Sequence, residues 1–102
     1  MTQHFNQLTA AELERLAMLS EEAGEIVQMV GKILRHGYES YHPNDDDKTT
    51  NRVLLRREIN DLIAVVHGMV QENDLSPLVF YDAEAAWQRK LKYTHHQRDN
   101  DE

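Results

Sequence analysis

Apolar and small residues recur at three- and four-residue steps through the first third of the chain: Leu13, Leu16, Ser20, Ala23, Val27, Val30 and Leu34. That spacing follows one face of an α-helix and predicts a long helix ending near His36-Gly37. Thr9-Ala10-Ala11-Glu12 supplies its start, a capping box in which Thr9 accepts from the Glu12 backbone and the Glu12 carboxylate reaches back. Arg35 and His36 followed by Gly37 supply its end, cations against the helix C-terminus and then a residue free to adopt positive φ. Gly24 and Gly31 are the positions at which a break or kink is expected.

From Tyr38 to about Thr50 the periodicity lapses, and Pro43 with the run Asp45-Asp46-Asp47 predicts a loop joining two antiparallel helices. Leu55, Ile59, Leu62, Val66, Met69 and Val70 then mark a second helix, from Thr50 or Asn51 to about Asn73. Ser76-Pro77 has the form of an N-cap followed by a first-turn proline. A third helix is expected from Pro77 or from Asp82, through Trp87 to about Tyr93. The stretch from Thr94 onward is polar and predicts a frayed end, so the domain is taken as residues 1–94 and the tail as residues 95–102.

The fold class is therefore all-α. At 102 residues the chain has room for one domain with a small core. Two long helices and a short one leave apolar surface that a single copy cannot cover, which predicts a homodimer or a dimer of dimers in which paired hairpins complete a four-helix bundle. A net charge of −7 argues against nucleic acid as a partner, since phosphates call for basic surface. No apolar run is long enough to span a bilayer and the first residues lack the features of a signal peptide, so a cytoplasmic protein without membrane contact is expected. The absence of cysteine removes thiolate chemistry and disulfides, and leaves oxygen or imidazole as the only metal donors.

Two acidic clusters interrupt the apolar helices: Glu21-Glu22-Ala23-Gly24-Glu25 in the first and Glu58-Ile59-Asn60-Asp61 in the second. Glu22 and Glu25 are three residues apart, as are Glu58 and Asp61, so each pair projects from one side of its helix. Packed antiparallel, the helices would bring four carboxylates together, which like-charge repulsion opposes unless cations sit among them. Oxygen-only ligation favours Mg²⁺, with Mn²⁺ as a substitute. The bland alternative is that these glutamates are ordinary solvated helix faces.

The pattern Glu-Glu-x-x-Glu followed by Glu-x-x-Asp on the next helix resembles the motif of the MazG-like all-α nucleotide pyrophosphohydrolases, in particular the short single-domain versions carried by bacteriophages. The likeness runs from about Leu16 to Met69 and takes in Lys32 and Arg35-His36-Gly37. It implies cleavage of (deoxy)nucleoside triphosphates between the α and β phosphates, giving a monophosphate and pyrophosphate. It also implies Mg²⁺ ligation by Glu22, Glu25, Glu58 and Asp61, with Glu21 as a helper that orients or deprotonates water beside Glu22, and active sites lying beside subunit interfaces. If the gene is phage-borne, the place of action is the host cytoplasm. Two departures stand out: Asn60 occupies a position where many relatives have glycine, and the segment between Glu25 and Glu58 is longer than is common.

Around this centre, Lys32 lies two turns beyond Glu25 along the first helix and Arg35 one turn further; both are candidates to grip distal phosphates, against the plainer reading of cations favoured at a helix C-terminus. Lys90 is a further phosphate candidate and Trp87 a candidate wall for the base, each set against a solvated or core role. His67 reads as a packed or surface residue, and Asp45-Asp46-Asp47 as a solvated loop without the glycine and glutamate of a calcium hand. Alternatives are a related helical pyrophosphohydrolase acting on phosphoribosyl-ATP, dUTP or dCTP, or a catalytically silent helical interaction protein.

Overall fold

The computed structural model describes residues 5–97, and among these there are three α-helices, a short 3₁₀ turn and no strand. Helix α1 spans Ala10–His36, α2 spans Asn51–Gln71 and α3 spans Ala83–Leu91, with the 3₁₀ turn at Pro77–Phe80.

Helix α1 begins as its sequence dictates. The Glu12 N–H donates to the Thr9 hydroxyl at 3.1 Å and the Thr9 N–H donates to the Glu12 carboxylate at 2.8 Å, so two of the otherwise unpaired first-turn donors are satisfied. It runs unbroken through Gly24 and Gly31, and ends where the Gly37 N–H donates to the Ile33 carbonyl with Gly37 at φ 91°. Helix α2 is capped by Thr50 and stops at Gln71, two residues short of the expected Asn73. Asn73 instead takes φ 67°, and the Asn73 and Asp74 N–H groups turn back onto the Val70 and Met69 carbonyls, closing the helix in a Schellman arrangement with asparagine in the left-handed position. Both starting points foreseen for the third helix are used: Ser76-Pro77 opens the 3₁₀ turn, and α3 proper begins after Asp82.

Packing between α1 and α2 makes the body of the molecule, and α3 touches the rest only slightly. The seam is a heptad on each side. Leu19, Glu22, Ile26, Met29 and Ile33 face it from α1, and Asn51, Leu55, Glu58, Leu62, Val65 and Met69 from α2, all buried or half-buried. Met29, at 6% exposure, and Met69, at 3%, are its best-covered apolar members.

The stripe expected of α1 is displaced. Leu16, Val27, Val30 and Leu34 do not face α2: Val27 is 71% exposed and Leu34 82%. Helix α1 carries two adjacent apolar stripes offset by one residue, about 100° of rotation, and hydrophobic spacing alone does not distinguish the one that meets α2 from its neighbour. On α2, Leu55, Leu62, Val66, Met69 and Val70 are covered as expected, whereas Ile59 is exposed together with Ile63.

In an antiparallel pair, the residue after each seam position turns to the same side of the hairpin on both helices. Val27, Val30 and Leu34 therefore share one broad apolar side with Ile59 and Ile63. Glu21, Glu25 and Asp61, displaced in the other sense from the seam positions Glu22 and Glu58, occupy the opposite side.

Two further locks hold the hairpin. Where α1 begins and α2 ends, Arg15 grips Asp74 with two hydrogen bonds, Nε to Oδ2 at 2.6 Å and a second N–H to Oδ1 at 3.0 Å. At the other end the loop is tied back: the Asn51 N–H donates to the Ser40 carbonyl, the Arg52 N–H to the Tyr38 carbonyl, and the buried Asn51 side chain to the Gly37 carbonyl at 3.1 Å. Arg52 lies over the Tyr38 ring at 4.2 Å and pairs with Glu39. Asp45 accepts from the Asp47 and Thr49 N–H groups, and these bonds hold its carboxyl below the ordinary range. It is a turn anchor rather than a freely solvated acid. No helix among the described residues is long and apolar enough to cross a membrane.

Candidate metal centre

Halfway along the seam the apolar heptads are broken by one acid from each helix. Glu22 follows Leu19 by three residues and precedes Ile26 by four; Glu58 stands in the same relation to Leu55 and Leu62. Helical geometry thus carries both carboxylates into the half-buried interface that their apolar neighbours create. Glu25 and Asp61, one turn further on, border the seam from the open side.

Carboxylate oxygens of Glu21, Glu22 and Glu25 lie within 4.8 Å of one another, and so do those of Glu22, Glu58 and Asp61. The two triads share Glu22, so all five acids named from the sequence converge. Glu22 Oε2 and Glu58 Oε2 are sealed from solvent with no hydrogen-bond partner among the described residues. Buried polar atoms are nearly always satisfied, and a carboxylate oxygen left bare is among the costliest exceptions.

Electrostatics of the cluster follow from this placement. Burial pushes the Glu22 carboxyl above its ordinary value, and the nearby carboxyls of Glu25, Asp61 and Glu21 push the same way. Glu58 is raised first by the close approach of the Glu25 carboxyl, then by burial and by the charges of Glu25, Asp61 and Glu22. No Lys or Arg bonds to either acid among the described residues. Hard oxygen donors, two overlapping triads and two orphaned oxygens fit a divalent cation such as Mg²⁺ or Mn²⁺.

Lys32 lies beside this centre. It lines a cleft of about 300 Å³ with Glu25, Gln28, Met29 and Glu58. With Arg35 it also lines a second cleft, of about 320 Å³, that reaches the loop. Lys90 and Trp87 are not brought to the carboxylates within one chain. Lys90 lines a separate cleft with Arg89, Lys92 and Tyr93, and Trp87, 48% exposed, is neither core nor part of the carboxylate cleft. The physical reason is that α3 scarcely packs on the hairpin, so its side chains are not positioned by α1 or α2. His67, expected to be a packed or a surface residue, is exposed on α2, its ring 6.5 Å from that of Phe80 in the 3₁₀ turn.

Sequence reasoning passed over Tyr41 and His42 and took Pro43 only as a loop signal; all three wall the second cleft. A concentration of basic and aromatic residues from Arg35 to His42 was the available signal. Comparison of the chain with protein-family models, with curated proteins and with solved structures gave no match.

Proposed function

We propose that this hairpin is the catalytic half of a divalent-cation-dependent nucleotide pyrophosphohydrolase, cleaving (deoxy)nucleoside triphosphates between the α and β phosphates to a monophosphate and pyrophosphate. One observation carries the reading: two carboxylate oxygens, on Glu22 and Glu58, are buried without partners inside a five-acid cluster. A protein needing those glutamates only for solubility would leave them on the surface, where the chain has room for many others.

Glu22, Glu25, Glu58 and Asp61 are the residues that would hold Mg²⁺. When bound, the ion supplies charge neutralisation at the phosphates and acidifies a coordinated water. The protein's own part is positional. Glu22 and Glu58 are fixed by the heptad seam, so the donor set is pre-formed rather than assembled on binding. Glu21 borders the cluster on the same face and would take a proton from the attacking water. Lys32, reaching the cleft from the next turns of α1, offers three donors to phosphate oxygens.

The molecule also works as a pair in this reading. Its radius of gyration is 17.8 Å, against about 13 Å for a compact domain of this length. Its accessible surface is 8377 Å², against roughly 5,900 Å² for a compact monomer of this mass. The excess matches one subunit's share of an obligate homodimer interface. Pairing the Val27, Val30, Leu34, Ile59 and Ile63 side with a second copy completes a four-helix bundle and leaves the Glu21, Glu25 and Asp61 side open to substrate.

The test is pyrophosphate release from a panel of canonical and modified nucleoside triphosphates, phosphoribosyl-ATP included, with and without Mg²⁺ and with products identified by mass spectrometry. Magnesium-dependent monophosphate and pyrophosphate are expected, and the panel ranks the bases. Absence of turnover on every nucleotide would leave a helical interaction protein.

A further inference from the structure

The loop from Tyr38 to Thr50 folds back over the end of α1, and between them lies the cleft of about 320 Å³. Its charge is out of keeping with the chain. The protein carries 18 acidic residues against 11 Lys and Arg, yet none of the nine residues lining this cleft is acidic. Lys32, Arg35, His36 and His42 face it, with Tyr41 and Pro43 as its apolar wall. A cleft lined this way selects anions.

His42 is more than a surface histidine here. Its Nδ1 accepts the Asn44 N–H at 3.1 Å, so the ring proton of this tautomer sits on Nε2, and the ring is oriented by the turn that follows it. The turn itself is held by the Asp45 carboxylate, which accepts from the Asp47 and Thr49 N–H groups, and the base of the loop by the Asn51 and Arg52 bonds to Gly37, Tyr38 and Ser40. The His42 wall is therefore built onto a tied loop rather than left to a flexible side chain.

Lys32 lines both this cleft and the carboxylate cleft, so the two adjoin at its side chain. Glu25 and Lys32 are seven residues apart, about 10 Å along the helix axis. A phosphate chain held by metal at the carboxylates would extend toward Lys32 and into the anion-selecting cleft.

The geometry points to a pyrophosphate subsite formed by the loop: His42 Nε2–H, Arg35 and Lys32 hold the terminal phosphates of a nucleoside triphosphate, and afterwards the released pyrophosphate. The assignment of substrate rests on the pyrophosphohydrolase reading, but the anion site does not. The loop is then part of the substrate site rather than a connector.

The probe is inorganic pyrophosphate, titrated calorimetrically into the full-length protein in Mg²⁺-free buffer, so that the carboxylates take no part. Wild type is expected to bind it. His42→Ala and Arg35→Gln are each expected to weaken it about tenfold, the size of one lost charge-assisted hydrogen bond. Glu22→Gln should bind as tightly as wild type or more tightly. Absence of wild-type binding, affinity unchanged from wild type in both cleft variants, or loss of binding in Glu22→Gln would each overturn the assignment. Pyrophosphate bound as expected by a protein that hydrolyses no nucleotide would keep the anion cleft and remove the hydrolase reading; hydrolysis with unaltered pyrophosphate affinity in both cleft variants would do the reverse.

Discussion

The end and the middle of one helix seam are built on opposite electrostatics. Near the start of α1, Arg15 and Asp74 meet at 2.6 Å in a two-bonded pair, and the guanidinium holds the Asp74 carboxyl below its ordinary value. Less than two turns further along α1, Glu22 meets Glu58 across the same seam, both are raised above the ordinary value, and each keeps a sealed oxygen without a partner. The first arrangement is what folding stability favours. The second works against it, and local strain of this kind, carried by a well-packed surround, is characteristic of functional sites. The seam's apolar residues, Leu19, Ile26, Met29 and Met69 among them, hold the carboxylates in place despite their repulsion.

The sharpest way to break this comparison is to neutralise the repelling carboxylates. Glu22→Gln or Asp61→Asn is expected to lower Mg²⁺-dependent pyrophosphate release by at least about 100-fold, the loss of a metal ligand exceeding that of an outer-shell partner. Circular dichroism of the same variants should show an intact fold with an unchanged or higher melting temperature, because a like charge has been removed. Full activity in either variant would show that the acids are not the site.

The next effect concerns what surrounds the seam. Val27→Asp combined with Ile63→Asp places charge on the exposed apolar side and is expected to shift the sedimenting species from dimer to monomer, with turnover falling as the bundle is lost. An unchanged sedimentation coefficient would mean that this side is not the subunit interface.

Acid titration distinguishes the two regions directly. Asp74, lowered in the folded state, contributes stability above its ordinary value of 3.8, and that contribution is lost as pH falls through the lowered value. Glu22 and Glu58, raised in the folded state above 4.5, contribute fully only below that value, and the contribution is lost as pH rises through the raised values. Melting temperatures followed from about pH 3 to about pH 7 without divalent ions should therefore peak in mild acid, and Mg²⁺ should restore stability at the neutral end. A neutral-side decline that persists in Glu22→Gln and is untouched by Mg²⁺ would assign it elsewhere.

The smallest effect is at the loop. Asn51→Ala removes the bond to the Gly37 carbonyl and is expected to cost about 1 kcal/mol in chemical denaturation, while leaving the carboxylate cluster unaltered.

Much of this was legible from the residues in order. Thr9 and Glu12 announce the start of α1, Gly37 its end, and the three-residue spacing of Glu22 with Glu25 and of Glu58 with Asp61 announces a shared face. These are local properties, set by hydrogen bonds and helix geometry within a few residues. The stripe of α1 was legible only in part: the chain carries a wide apolar arc, and Leu16, Val27, Val30 and Leu34 are as regular in spacing as Leu19, Ile26, Met29 and Ile33. Where Trp87 and Lys90 lie relative to the carboxylates was not legible at all, since a nine-residue helix says nothing of where it docks.

By itself the sequence determined that the chain is helical, where α1 begins and ends, and which acids lie on common helix faces, because each of these follows from backbone periodicity and capping over distances of a turn or two. Only the tertiary structure decided which half of the α1 arc meets α2, that Glu22 and Glu58 lie inside the seam with unpartnered oxygens, and that His42 shares a cleft with Lys32 and Arg35. Those facts depend on rotation of one helix against another and on the path of a loop, and such choices are settled by the sum of many weak contacts between residues far apart in the chain.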